Sequence, residues 1–372
     1  MGELKRVSKE DFQLVSKRNY AAERRQAQLN LFGELEGLIG QREAGDIPAW
    51  QVALCLILCG LPYEETTERS ITRRARLADG KWLIVRFTAT GERDELDEDG
   101  NFVIDEATGK PRKDLIPLPF GADRGPLHFL VNKAILRAKE LQRRGEDTSS
   151  ALFVEWESAN EYLNEMRLAP GGKNRRDLRA RYERISGCSI TVKRIGLGED
   201  SKTTVRPIIS DSWLPASVSG NRKNKNEGEK SDQPRGLVLD AKFFSEISQY
   251  HVPVPVDLLR STMGRSQLQD YVLWLYWRAF AAREDTLIPW RSVREQLWQN
   301  DATEQRLYAI MRRAITTLRA VWPEFRAEVN PKDHSERGLL VGPPRNGIYM
   351  FAADSARKQI SVVSPPSKAT RK

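Results

Sequence analysis

The sequence predicts an α+β fold in which one small unit occurs twice, and three observations predict it. Apolar residues at helical spacing alternate along the chain with short β-rich runs, so neither kind of element dominates. Two segments, Trp156–Leu163 (WESANEYL) and Trp290–Leu297 (WRSVREQL), share W-x-S-x-x-E-x-L at an offset of 134 residues. Each follows a long apolar helix and precedes a break and then a basic helix.

Residues 1–48 carry eight basic and eight acidic side chains and read as a polar N-terminal extension. A first domain is expected over 49–216. From Trp50, the run QVALCLILCG predicts a buried helix ending near Gly60-Leu61-Pro62, with Cys55 and Cys59 on one face as small hydrophobes. KWLIVRFTAT (Lys81–Thr90) predicts a strand. Residues 91–114 are an acid-rich insertion, a solvated loop or hairpin that would repel phosphate. DRGPLHFLVNKAILRAKELQRRG predicts a helix with Leu127, Leu130, Val131, Ile135 and Leu136 facing inward. ALFVEW predicts a short strand and SANEYLNEM a short helix.

A Pro-Gly-Gly break then opens GGKNRRDLRARYERI (Gly171–Ile185), with six basic and two acidic residues. CSITVKRIGLGEDSKTTVRPIISDSW predicts a hairpin around Gly196, Gly198, Glu199 and Asp200. Residues 217–235, rich in Lys, Asn, Gly and Glu, predict a flexible loop or linker. A second domain is expected over 236–356, restarting at GLVLDAKFFSEI and ending in three short strands, FRAEVN, RGLLVG and GIYMFA. The basic tail 357–372 is expected to be disordered.

The repeated order is helix, short strand, short capped helix, basic helix, hairpin. That is the order of a winged helix-turn-helix, whose second helix enters the major groove and whose hairpin is the wing. The fold class is therefore α+β with two tandem winged helices and small β-hairpin wings. Ser158 and Ser292 are expected as N-caps, with Glu161 and Glu295 bonding back to the cap amides. In the first basic helix Leu178, Tyr182 and Ile185 mark the core stripe, leaving Lys173, Arg175, Arg176, Arg179 and Arg184 on the flanks and outer face. Arg181 and Glu183 could simply pair with neighbours. In the second, Leu307, Ile310, Met311, Ala314, Ile315 and Leu318 form the stripe, and Arg306, Arg312, Arg313, Thr316 and Arg319 face outward. Arginine suits guanine edges and phosphate because its planar fork donates two parallel bonds. Lys193 and Arg194 are wing candidates for phosphate contact.

Formal net charge is +9, which points to a polyanionic partner such as nucleic acid. Three sparse cysteines argue against a disulfide framework and for a reducing compartment. No signal-peptide core opens the chain, and its longest apolar run is too short to span a bilayer, so a cytoplasmic protein is expected, with no membrane contact. His128, His251 and His334 lack metal-ligand spacing, and no P-loop, H-x-H pair near a tyrosine or isolable acid–base pair occurs. No catalytic residue, metal or cofactor is expected, and the chain is not read as an enzyme. Trp274 and Trp277 read as core rather than base-stacking platforms.

At FFSEISQYHVPVPVDLLRSTMGRSQLQDYVLWLYWRAF and TLIPWRSVREQL the chain resembles the RepA family of plasmid replication initiators from broad-host-range plasmids. That family shows F-F-x-E-I, then P-V-P-V-D, then a D-x-Y-x-W-L helix, then I-P-W before a short helix. GADRGPLHFLVNKAILRAKE also resembles the family's first winged-helix segment. The resemblance spans about residues 115–350 and is strongest over 237–300. It implies binding to origin repeats (iterons) on double-stranded DNA, origin melting, and recruitment of the host replicative helicase and initiator proteins. It also implies a homodimer that represses and a monomer that initiates. Other readings of the residues stay open: a two-domain repressor without initiation activity, a nuclease or recombinase, or one winged helix for DNA and the other for dimerisation.

Overall fold

The computed structural model describes residues 48–343, apart from 78–80, 96, 98–100, 156–157, 196–205, 214–235, 283, 298–302 and 333–335. Every described residue belongs to one compact unit that begins at Pro48. The expected N-terminal extension up to residue 47, the 217–235 linker, the GIYMFA strand and the basic tail lie outside the described residues. Within them the fold is α+β, built from small antiparallel sheets and helices.

The apolar run at Trp50 begins as a strand. β1 (Ala49–Ala53) leads directly into α1 (Leu54–Leu58), so the helix expected from Trp50 forms only in its second half. Trp50 and Val52 are buried and Gln51 between them is half-buried, which is strand period. The cause is distant: β1 pairs antiparallel along its whole length with His251–Pro255, a pairing that local periodicity cannot register. Cys55 and Cys59 are buried free thiols, as read from the sequence, and Cys188 is a third.

β2 (Ser70–Arg76) and β3 (Trp82–Ala89) pair antiparallel. The acidic insertion then forms a hairpin of β4 (Glu92–Asp94) and β5 (Lys113–Leu115). α2 (Arg124–Arg144) buries Leu127, Leu130, Val131 and Ile135, and Gly145 ends it at φ +71°. Leu136, expected inward, is 45% exposed, because the buried stripe ends at Ile135 and the helix runs on into solvent. β6 (Phe153–Glu155), α3 (Ser158–Glu165) and α4 (Gly172–Ser186) follow.

The stretch expected as one hairpin divides between two sheets. β7 (Cys188–Ile195) pairs along its whole length with β3, and only Ser189 and Ile190 meet β8 (Arg206–Pro207). These four strands are ordered β2-β3-β7-β8. β9 (Ile209–Trp213) instead pairs with β10 (Gly236–Leu239), and β10 pairs with β6. Residues 217–235 therefore connect two paired strands of one sheet rather than two domains. A linker and a long hairpin loop share the same polar composition, so composition alone could not separate them.

Next come α5 (Ala241–Gln249), β11 (His251–Pro255, the partner of β1), α6 (Val256–Ser261) and α7 (Ser266–Ala281). β12 (Thr286–Pro289), α8 (Trp290–Gln296), α9 (Glu304–Val321), β13 (Ala327–Val329) and β14 (Gly338–Val341) complete the described chain. The second expected capping box does not form. Pro289 takes the cap position, Trp290 already starts the helix, and Glu295 pairs with Arg291 at 3.3 Å. The first box falls at Trp156–Ser158, where residues 156–157 lie outside the described residues; Glu161 there receives the Lys133 ammonium.

One element order recurs: α2, β6, α3, α4, β9, β10 in the first half, and α7, β12, α8, α9, β13, β14 in the second. The sheets repeat too, since β6-β10-β9 and β12-β14-β13 both run first, third, second. β7 and β8 are inserted before the hairpin of the first copy only. The two halves share a core. α7 is buried nearly all round, with Tyr271, Val272, Trp274, Leu275, Tyr276 and Trp277 each at most 2% exposed. Arg124 of α2 reaches Asp270 of α7 through paired bonds of 2.8 and 2.9 Å.

Candidate nucleic-acid interface

α9 presents the more open basic face. Leu307, Met311, Ala314, Ile315 and Leu318 are buried, and Ile310 is half-buried against the same core. That stripe packs on α7 and α6 and turns Arg306, Arg312, Arg313, Thr316 and Arg319 outward, all exposed. The Thr303 hydroxyl accepts from the Arg306 amide at 3.3 Å and caps the first turn. Arg312 and Arg313 make no side-chain hydrogen bond or ion pair among the described residues. Thr316 donates to the Arg312 carbonyl at 3.0 Å, and the Arg319 guanidinium donates to the Ala327 carbonyl at 2.8 Å. Arg319 thus ties the helix to β13. Between them lies an open groove of about 570 Å³ lined by Arg312, Ile315, Thr316, Arg319, Ala327, Glu328 and Val329.

The elements around α9 are pinned by one tryptophan. Trp290 of α8 donates its indole N–H to Asn330 at 2.7 Å and meets the Tyr308 ring at 4.6 Å. Asn330, at φ +51°, makes the turn after β13, a backbone region asparagine tolerates better than most residues. Helix, preceding helix and hairpin therefore hold one arrangement.

α4 offers a smaller basic face. Leu178, Tyr182 and Ile185 are its buried stripe. Lys173, Arg175 and Arg176 are exposed in its first two turns and Arg179 is half-buried. Arg175 donates to Asn160 of α3 at 3.2 Å. Arg184, expected on the outer surface, points inward: it grips the buried Asp123 at 2.7 and 2.8 Å and lies 4.8 Å above the Phe120 ring. Arg181 stands 3.9 Å from the same carboxylate. The partner is 61 residues away, so no local pattern could find it.

Lys193 and Arg194 do not sit at a hairpin tip. Both lie on β7, opposite Ile84 and Leu83 of β3. Arg194 is held by Glu246 of α5 at 2.6 and 2.7 Å and stacks 3.7 Å from the Tyr250 ring centre. Its charge is neutralised within the fold, whereas Lys193 is half-buried on the opposite face of the strand.

The described histidines are structural in their surroundings. Burial, with the Arg124 charge, depresses the His128 imidazole to about 3. Burial and the Lys139 ammonium depress His251 to about 4. Nδ1 of His251 lies 3.0 Å from the Ile247 carbonyl and Nε2 lies 3.3 Å from Lys139 Nζ, so a neutral ring donating from Nδ1 satisfies both. His334 lies outside the described residues. Among the described residues no group of three His, Cys, Asp or Glu side chains could hold a metal ion, and no helix is long and apolar enough to cross a membrane.

No family model matches the chain, and no curated protein matches it. Among solved structures, it is similar to a selenomethionine crystal structure of domains 2 and 3 of RctB. The identity is 11% and the TM-score 0.46, covering 77% of this chain and 95% of that one. A second crystal structure of RctB domains 2–3 aligns at 12% identity and TM-score 0.42, over 72% and 82% of the two chains.

Proposed function

We propose that the chain binds double-stranded DNA sequence-specifically through two tandem winged helices, α4 and α9 being the reading helices, and that it initiates plasmid replication. One observation carries the DNA reading: the same helix–strand–helix–helix–hairpin order, with the same strand order, occurs twice and each time ends its helices on an exposed arginine-rich face. In such a unit the third helix lies in the major groove and the hairpin flanks it along the backbone. Arg312 and Arg313, unpaired among the described residues, are the strongest base or phosphate contacts, with Arg306 and Thr316 beside them. Lys173, Arg176 and Arg179 serve the first copy. Arg184 and Arg194 are positioning residues, because their guanidinium groups are already committed to carboxylates.

The step from DNA binding to initiation rests on the resemblance of residues 237–300 to RepA initiators. It brings with it repeated origin sites, melting of adjacent DNA, recruitment of host replicative helicase, and a dimer–monomer switch. The second reading is a repressor that uses the same helices without initiating. A gel-shift titration on the DNA next to the gene tests the first step. Arg312→Ala with Arg313→Ala should weaken specific binding far more than Lys368→Ala, and equal losses would remove α9 as the reader. Binding should fall steeply with salt, since each neutralised phosphate releases counterions. A plasmid carrying the gene and its flanking DNA must replicate for the initiator reading to hold; binding without replication leaves the repressor. Cutting of DNA with Mg²⁺ would contradict both.

A further inference from the structure

β2, β3 and β7 place a set of cations on one face of a sheet, away from either basic helix. Thr72 stands opposite Arg86, Arg74 opposite Ile84, and Arg76 opposite Trp82; across the next pairing Ile84 stands opposite Lys193. Residues opposite one another share a face, so Arg74, Arg76, Arg86 and Lys193 lie together. The other face holds Ala75, Leu83, Val85 and Phe87, all fully buried. Arg74, Arg76 and Arg86 are exposed and Lys193 is half-buried.

Among the described residues no carboxylate pairs with Arg74, Arg76 or Arg86. β2, β3 and β7 contain no Asp or Glu. Arg86 donates to the Thr72 hydroxyl at 3.0 Å, and the Arg74 guanidinium sits 5.8 Å from the Trp82 ring centre. Neither contact neutralises charge. This contrasts with Arg184 and Arg194, whose carboxylate partners are in place. Successive cations on a strand face stand about 7 Å apart, and a pleated sheet holds that spacing rigidly. β2 also packs against α8, the helix that precedes α9. The sheet therefore adjoins the second unit through β2.

We propose that the outer face of β2-β3-β7 is a third DNA contact, binding the phosphate backbone of the duplex without reading its sequence. The proposal rests on the reading that the chain binds duplex DNA, and adds a surface outside both winged helices. Arginine forks on a strand face suit phosphate oxygens, and the hydroxyls of Ser70, Thr72 and Thr88 between them can donate to the same groups. A rigid row of cations outside the reading helices adds affinity and register but no sequence preference.

The test compares the full chain with a variant carrying Arg74→Gln, Arg76→Gln and Arg86→Gln. The probes are a duplex of the DNA next to the gene, a random-sequence duplex and a single strand. The variant should bind both duplexes at least ~10-fold more weakly and by similar factors, and its log–log salt slope should fall by about 3. Replacing the same arginines by lysine keeps the charge and should keep most of the slope, which separates electrostatics from misfolding. Unchanged affinity and slope in the glutamine variant, with binding still lost in Arg312→Ala/Arg313→Ala, would overturn the sheet contact and leave the DNA reading standing. Loss confined to the single strand would overturn the duplex as occupant. If the unaltered chain binds neither duplex, the functional reading falls and the sheet contact with it.

Discussion

Arg124 and Asp270 join the two halves of the fold, and removing the carboxylate tests how much that join contributes. The side chains are 2% and 5% exposed. Arg124 donates to both Asp270 oxygens and to the carbonyls of Pro62, Gly121 and Leu61, so its charge is fully enclosed. Burial raises the Asp270 carboxyl, and Arg124, Tyr63 and Arg73 pull it back toward the charged form. Breaking a buried pair from one side costs about 3–5 kcal/mol, because the other charge stays behind without its counterion. Arg124 would keep its three carbonyls, so Asp270→Ala should fall at the low end, about 3 kcal/mol. Urea unfolding followed by tryptophan fluorescence reads this as a lower midpoint. Arg291→Ala, which removes an exposed pair with Glu295 whose arginine is 90% exposed, should change stability by less than about 0.5 kcal/mol. If Asp270→Ala stays within about 1 kcal/mol of the unaltered chain, the join is not held by this pair.

Arg184→Ala should lower stability by about 2–3 kcal/mol, since it leaves the buried Asp123 carboxylate with the Phe120 amide at 3.0 Å and the distant Arg181 but no close cation, while Lys173→Ala should leave unfolding unchanged; equal midpoints for the two would refute the assignment of Arg184 to the fold. His128 and His251 bring a pH dependence. Their folded values, about 3 and about 4, lie below the ordinary 6.5, so the unfolded chain takes up protons first as pH falls. Stability is whole above 6.5 and is lost from there down to about 4 for His251 and about 3 for His128. At about pH 5 each should have cost roughly 2 kcal/mol, and a urea midpoint that does not move between about pH 7.5 and about pH 5 would contradict it. Gly91→Ala would put a methyl 2.5 Å from the Gly187 Cα, where the Thr90 and Gly91 amides already converge on the Gly187 carbonyl. It should cost about 1–3 kcal/mol by thermal unfolding, against no loss for Gly172→Ala, whose methyl meets nothing within 4 Å; similar melting temperatures would show that the crossing can spread.

Much of the helical framework was legible because amphipathic helices carry their burial in their own spacing. The stripes Leu178, Tyr182, Ile185 and Leu307, Met311, Ala314, Leu318 are buried as their periods required. W-x-S-x-x-E-x-L marks the repeat, yet its expected capping box does not form at Ser292; the shared pattern marks α3 and α8 through their place in the order. Strand partners were less legible. Nothing near Ala49–Ala53 announces a pairing with residues two hundred positions on, and nothing in CSITVKRI tells that its main partner is β3 rather than the next β-rich run.

Local spacing sets where most helices run, which faces they bury, and that one unit recurs. Those properties depend on residues three and four apart, which interact within one helix. Tertiary structure alone decided which cations are free. Arg176 and Arg184 sit on the same helix and look alike in the sequence, but a carboxylate 61 residues away claims one of them. It also decided that β9 and β10 close one sheet across residues 214–235, and that three strands place Arg74, Arg76 and Arg86 on one open face. Charge is written residue by residue, whereas its availability depends on what folding brings within hydrogen-bond reach.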